Sequence, residues 1–164
     1  MFKKVSSYHF TKQFSENLTL HLRRMVEKDI ERISEMEAEI FASPWSQDSF
    51  YAELLHQYSI CLVAENEDAF IVAYTVNWFI EDELHIANLA VDPQYRQLGI
   101  ASWIMDTLMT IAESIQTRIV HLEVRKSNIQ AIKLYEKYGF EIVGMRKNYY
   151  EKENEDALLM SLKI

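Results

Sequence analysis

The sequence predicts an α/β (α+β) fold, a mixed central sheet of about seven strands with about four helices on its two faces. Three observations predict it. Short runs of alternating, β-branched or aromatic residues recur along the chain; stretches with a helical apolar period separate them; polar turns punctuate the rest. The resulting order is β-αα-βββ-α-β-α-ββ. Its strand–helix–strand passages favour parallel pairing and its hairpins antiparallel pairing, and one sheet with helices on both faces satisfies both.

The elements follow in order. Residues 1 to about 17 mix Lys3, Lys4 and Lys12 with Phe2, Tyr8, Phe10 and Phe14 without a helical or strand period, and read as a loosely held, mobile leader. Leu18, Leu20 and Leu22 alternate with polar neighbours in a half-buried strand that ends near Arg24. Lys28 to Phe41 carries Ile30, Ile33, Met36, Glu37 and Ile40 at helical spacing, and Ser43-Pro44-Trp45-Ser46 breaks it. Ser46 suits the N-cap of a second helix, Gln47 to about Leu55. Tyr58 to Glu65 and Phe70 to Phe79 are strands joined by Asn66-Glu67-Asp68, and Leu84 to Val91 is a third after Glu81-Asp82-Glu83. Leu98 to Ile115 is a long helix with Ile104, Leu108, Ile111 and Ile115 on one face. A strand from Arg118 to Val124, a helix from Asn128 to Tyr138, and strands at about Phe140 to Tyr149 and Asp156 to Leu162 close the chain. Residues 18–164 therefore read as a single domain without repeats or low-complexity linkers.

Composition narrows the function. The chain has 164 residues, 49% of them hydrophobic and 26% charged, enough for one core without disulfides or metals. Cys61 is the single cysteine, which excludes an intramolecular disulfide, a CxxC motif and a thiolate-clustered zinc site. The five histidines show no metal-ligand spacing, so no metal is expected. Apolar runs are short, so no membrane span is expected, and the setting is expected to be cytoplasmic. Twenty-five acidic residues against 17 basic ones give −8. That balance argues against direct nucleic-acid binding and is compatible with cationic partners.

Three glycines make placement informative. Gly139 suits a helix C-cap and Gly144 a strand bulge. Gly99 lies in Asp92-Pro93-Gln94-Tyr95-Arg96-Gln97-Leu98-Gly99-Ile100-Ala101, between a strand and a long helix. Backbone N–H groups there suit an anion, and Gly99 and Ala101 are small enough for close approach, although an ordinary strand-to-helix turn has the same pattern. It is neither GxGxxG nor a Walker loop.

Later blocks extend this pattern. Ser43-Pro44-Trp45-Ser46, Asn88-Leu89-Ala90-Val91-Asp92-Pro93, the R-x-x-G-x-A loop, Leu122-Glu123-Val124-Arg125 with Ser127-Asn128, and Asn148-Tyr149-Tyr150 occur in that order over about Leu20 to Leu162. Together they resemble the GCN5-related N-acetyltransferase (GNAT) family, and within it the RimI type, which acetylates the N-terminal alanine of ribosomal proteins. The resemblance implies acetyl-CoA as donor. It implies a pyrophosphate on the backbone of Arg96, Gln97, Leu98, Gly99, Ile100, Ala101 and Ser102, a pantetheine arm beside Leu89, Ala90 and Val91, and further cofactor contacts from Asn128 and Tyr135. It also implies Glu123 as general base, acting through water, and Tyr135 as general acid. The acceptor would be the basic N-terminus of a small-subunit ribosomal protein. Ala101 stands where many relatives have Gly, Lys126 stands where a small residue is common, and the leader is extra.

The residues by themselves leave alternatives. Alternation puts His121 and Glu123 on one strand face, where a Glu is ordinarily a solvated charge, and a Tyr at the position of Tyr135 ordinarily packs in a core. His85 and His121 are fallback bases, and Cys61 reads as a small buried apolar residue. Trp45, Tyr149 and Tyr150 suit the acceptor entrance or plain packing. Near pH 7 roughly a tenth of α-amino groups are neutral but only about 0.04% of lysines, so a modest base suits a protein N-terminus. Acetylation of lysine side chains or small amines, and a silent acyl-CoA-binding module, are the competing readings.

Overall fold

The computed structural model describes residues 8–164. Eight strands form one sheet in the order β1-β2-β3-β4-β5-β6-β8-β7. In chain order the elements are β1 (His9–Ser15), β2 (Leu18–Arg24), α1 (Ile30–Ile40), α2 (Gln47–Leu55), β3 (Ser59–Asn66), β4 (Ile71–Ile80), β5 (Glu83–Val91), α3 (Ile100–Ser114), β6 (Ile119–Arg125), α4 (Ile129–Lys137), β7 (Glu141–Tyr150) and β8 (Glu155–Lys163). The seven strands and four helices read from the sequence are all present.

The leader is corrected. Residues 1–7 lie outside the described residues, but His9–Ser15 forms an edge strand paired antiparallel with β2, His9 opposite Arg23. Phe10 and Phe14 face the core, and the Phe14 ring meets Trp103 edge-on at 5.5 Å. Lys12, between them on that face, breaks the apolar alternation that would have announced a strand. Its ammonium lies 5.3 Å from the Phe14 ring centre, so its stem runs along apolar surface while the charge stays at the edge.

Both sheet faces are covered. Along β3 and β4 nearly every residue is buried, because alternate side chains serve two cores. Leu62, Leu84, Leu122 and Val124 pack with Ile104 and Leu108 of α3 and Ile132 of α4. Val63, Tyr74 and Val76 pack with Ile33 and Met36 of α1 and Phe50 of α2. Ser46 caps α2 as expected, its side chain accepting from the Ser49 N–H at 3.1 Å. Among the described residues no helix is long and apolar enough to cross a membrane.

One ladder is parallel. The α3 crossover joins β5 to β6, which pair only over Glu83–Ile86 and Ile119–Leu122. Beyond that point β5 stays paired with β4 through Val91, and β6 with β8 through Arg125. The sheet therefore opens between Ala87–Val91 and Glu123–Arg125, leaving an unpaired strand edge in its middle.

Candidate active site

A cleft of about 1070 Å³ occupies this opening. Leu89, Ala90 and Val91 line it along the free edge of β5. A bulge sets their direction, since Ala87 is an extra residue between the Asn77–Ile86 and Val76–Asn88 pairs. Asn88 consequently turns toward α1, where its side-chain amide donates to both oxygens of Glu37 at 3.2 Å. Glu37, only 1% exposed, also accepts from the Trp45 N–H at 3.0 Å and from the Tyr74 hydroxyl. Burial, with the Glu37 charge second, raises the Tyr74 pKa. This carboxylate thus joins α1, the Pro44-Trp45 turn, β4 and the β5 bulge, and its three donors offset its desolvation.

The loop after β5 ends the cleft. The Asp92 side chain accepts from the Gln94 N–H at 2.9 Å and pairs with Arg32 of α1, which holds the 3-10 turn Pro93–Tyr95. Gln97 and Gly99 then have φ of 61° and 85°. Gly99 is the N-cap of α3 and supplies no side-chain cap, so the first-turn N–H groups at Ile100, Ala101 and Ser102 have no intrahelical partner. A Cβ on Gly99 would meet nothing within 4 Å. Arg96, Gln97, Gly99, Ile100, Ala101 and Ser102 all line the cleft. Leu98 does not; it is 49% exposed on the outside of the loop. Arg96 spends its Nε on the Val91 carbonyl at 3.2 Å. An uncapped helix N-terminus beside a free strand edge fits a phosphate followed by an amide-bearing arm.

Across the gap stand the ionisable groups. Glu123 is 29% exposed, and its Oε1 lies 2.7 Å from Arg146 Nη1 of β7. Tyr149 lies beside the same carboxylate, and burial, followed by the influence of Glu123, raises its phenol pKa. Tyr135 is buried with its ring near Phe140, and burial, with Tyr150 second, pushes its pKa up to about 12. It is therefore a neutral phenol at the cleft wall, suited to donate a proton. Asn128 is the N-cap of α4, and its side-chain oxygen is taken by the Ala131 N–H at 3.1 Å.

Tyr149 and Tyr150 reach the cleft through an irregular hairpin. Between the Arg146–Ala157 and Tyr150–Glu155 pairs, β7 carries residues that β8 does not match, and Asn148 takes a left-handed φ of 51°. Arg125 lies 4.0 Å from the Tyr150 ring centre and pairs with Glu153 at 2.8 Å. Trp45 closes the other side, its ring 5.6 Å from Phe50. Of the catalytic, cofactor and acceptor residues expected from the sequence, only Leu98 lies outside the cleft. Glu37 and Arg146 were not singled out; Glu37 carried only a helical period, and Arg146 reaches Glu123 across β8.

Residues 30–140 match the Acetyltransferase (GNAT) family, and the chain belongs to that family of acetyltransferases, whose enzymes use acetyl-CoA. Similar proteins give the acceptor named for each of them. A [ribosomal protein bS18]-alanine N-acetyltransferase of Salmonella typhimurium is 32% identical over 139 residues, covering 83% of this chain and 92% of that protein. A Bacillus subtilis protein provisionally given the same name is 39% identical over 144 residues, covering 87% and 95%. The crystal structure of the ribosomal-protein-S18-alanine N-acetyltransferase from Escherichia coli superposes with a TM-score of 0.81 at 28% identity, covering 88% of this chain and 94% of that one.

Proposed function

We propose that this chain acetylates the N-terminal alanine of a small-subunit ribosomal protein, bS18 by analogy with its relatives, with acetyl-CoA as donor. The observation that carries this reading is the opening between β5 and β6, with the uncapped start of α3 at one end and Glu123 and Tyr135 on its walls. The free backbone of Leu89 to Val91 pairs with the pantetheine arm as an added strand would, and the N–H groups from Ile100 to Ser102 hold the pyrophosphate.

Two proton transfers remain for the protein. Glu123 accepts the proton of the attacking α-amino group through a water, and Arg146 holds its carboxylate in place. The freed amine attacks the acetyl carbonyl, the thioester C–S bond breaks, Tyr135 gives its proton to the departing sulfur, and the second proton shed by the new amide nitrogen returns through water to the Tyr135 phenolate. Tyr135 holds its proton at neutral pH, as an ordinary phenol does, and the high pKa of lysine favours an N-terminal acceptor over a lysine side chain.

The test is a CoA-release assay with matched basic peptides, one with a free N-terminal Ala and one N-blocked with a single internal Lys, with the acetyl group located by mass spectrometry. Label on the N-terminal peptide alone is expected. Label on the lysine peptide would move the function to side-chain acetylation, and label on neither would overturn the protein-acceptor reading.

A further inference from the structure

We propose that Glu83, His85 and His121 form a site for a divalent transition-metal ion, Zn²⁺ foremost, on the cleft wall beside Glu123. His85 and His121 are 36 positions apart in the chain but are register partners across the parallel β5–β6 ladder. Their rings lie 4.9 Å apart between centres. Glu83 precedes His85 by two residues, so its side chain shares that face. The Glu83 Oε2 atom lies 3.1 Å from His85 Nε2 and 3.5 Å from His121 Nε2. Zinc bonds near 2.0–2.1 Å in tetrahedral geometry set donors about 3.3 Å apart, which these two separations bracket. One ligand atom from each residue lies within 4.8 Å of the other two, so the histidine edge of the triangle closes to that spacing by a relative movement of at most about 1.5 Å.

The surroundings fit as well. The Nδ1 of His121 is 2.7 Å from Ser161 Oγ on β8, the outer partner that orients a ligating imidazole and leaves Nε2 for the ion. Arg118, whose charge reaches Glu83, is itself engaged by Asp82. The three side chains are 31–42% exposed, so remaining coordination positions open toward solvent. Two imidazoles and one carboxylate favour zinc, copper or nickel over magnesium or calcium. His121 and Glu123 share one face of β6, so a bound ion adds positive charge where a cationic acceptor approaches, and it inhibits acetylation. Only this inhibition rests on the proposed function; metal binding does not.

The metal-free, untagged full chain is titrated with Zn²⁺ by calorimetry and with Co²⁺ by visible absorption. One equivalent is expected to bind, and His85→Gln, His121→Gln and Glu83→Gln each weaken it by at least about tenfold, with Ser161→Ala weakening it less. His21→Gln is the control, because His9 and His21 stack 5.6 Å apart at the distant edge of the sheet. The site is overturned if no saturable binding occurs, if binding survives in the doubly substituted His85→Gln/His121→Gln chain, or if it is lost with His21. Circular dichroism checks the fold of each variant, and Glu83→Gln provides a near-isosteric test if a histidine variant misfolds. In the peptide assay, saturating Zn²⁺ should slow the unsubstituted chain several-fold relative to its metal-free rate and leave the double variant's ratio near one. Stoichiometric binding without that difference overturns the inhibition alone.

Discussion

Glu123 stands between a cation and a phenol, and both bear on its use. Arg146 anchors the carboxylate from 2.7 Å across β8, and Tyr149 lies beside it. Glu123→Gln keeps the shape and removes the proposed base. We expect kcat to fall by about 10²–10⁴-fold with the acetyl-CoA Kd unchanged, measured by steady-state kinetics beside calorimetry; an unchanged kcat would remove Glu123 from the chemistry. Tyr135 gives a pH test. Its pKa is about 12 when folded against about 10 unfolded, so folding favours the neutral phenol. That contribution is complete below about pH 10 and is lost as pH rises from about 10 through about 12, on the order of 2 kcal/mol. Urea midpoints across this range should fall less steeply for Tyr135→Phe, while its kcat at neutral pH drops. Gly99 combines φ of 85° with open space around a built Cβ. Gly99→Val therefore costs about 1–2 kcal/mol of stability through backbone strain. It should also weaken acetyl-CoA binding, by filling space that the protein leaves empty; an unaltered Kd would separate this loop from the pyrophosphate.

Elements are held in register by a few polar ties. Glu37 links α1, the Trp45 turn, Tyr74 on β4 and the Asn88 bulge on β5. Glu37→Ala would leave three donors without their acceptor and should cost about 3–5 kcal/mol in urea unfolding, with a raised KM for the peptide as the turn loosens. A change under about 1 kcal/mol would mean that water replaces the carboxylate. Element types were legible because the helices are amphipathic and the strands rich in β-branched and aromatic residues. The β1 strand was not, because Lys12 occupies the middle of its inward face. The bulge at Gly144 was legible from a glycine in a strand pattern, as the register shift between Ile142 and Gly144 bears out, but other bulges were hidden. Neither Ala87 nor the stretch between Arg146 and Tyr150 carries a local signal, since a bulge exists only relative to the partner strand.

For the whole molecule, net charge and sheet topology act together. A balance of 25 acidic to 17 basic residues attracts cationic peptides over distances that salt screens. The kcat/KM for a basic N-terminal peptide should fall several-fold between about 0.05 and 0.5 M salt, mostly through KM, whereas a neutral peptide should change little. Equal salt dependence would assign recognition to short-range contacts. The sequence by itself determined the mixed fold, seven of eight strands, the glycine-bearing loop before α3 and the facing of Glu123, because each depends on local periodicity or turn chemistry. Tertiary structure alone decided that β5 and β6 part after Ile86 and Leu122, that Arg146 reaches Glu123 across β8, and that His85 meets His121. Those facts depend on strand order and register, which follow from how two cores pack on one sheet and leave no trace in the spacing of residues along the chain.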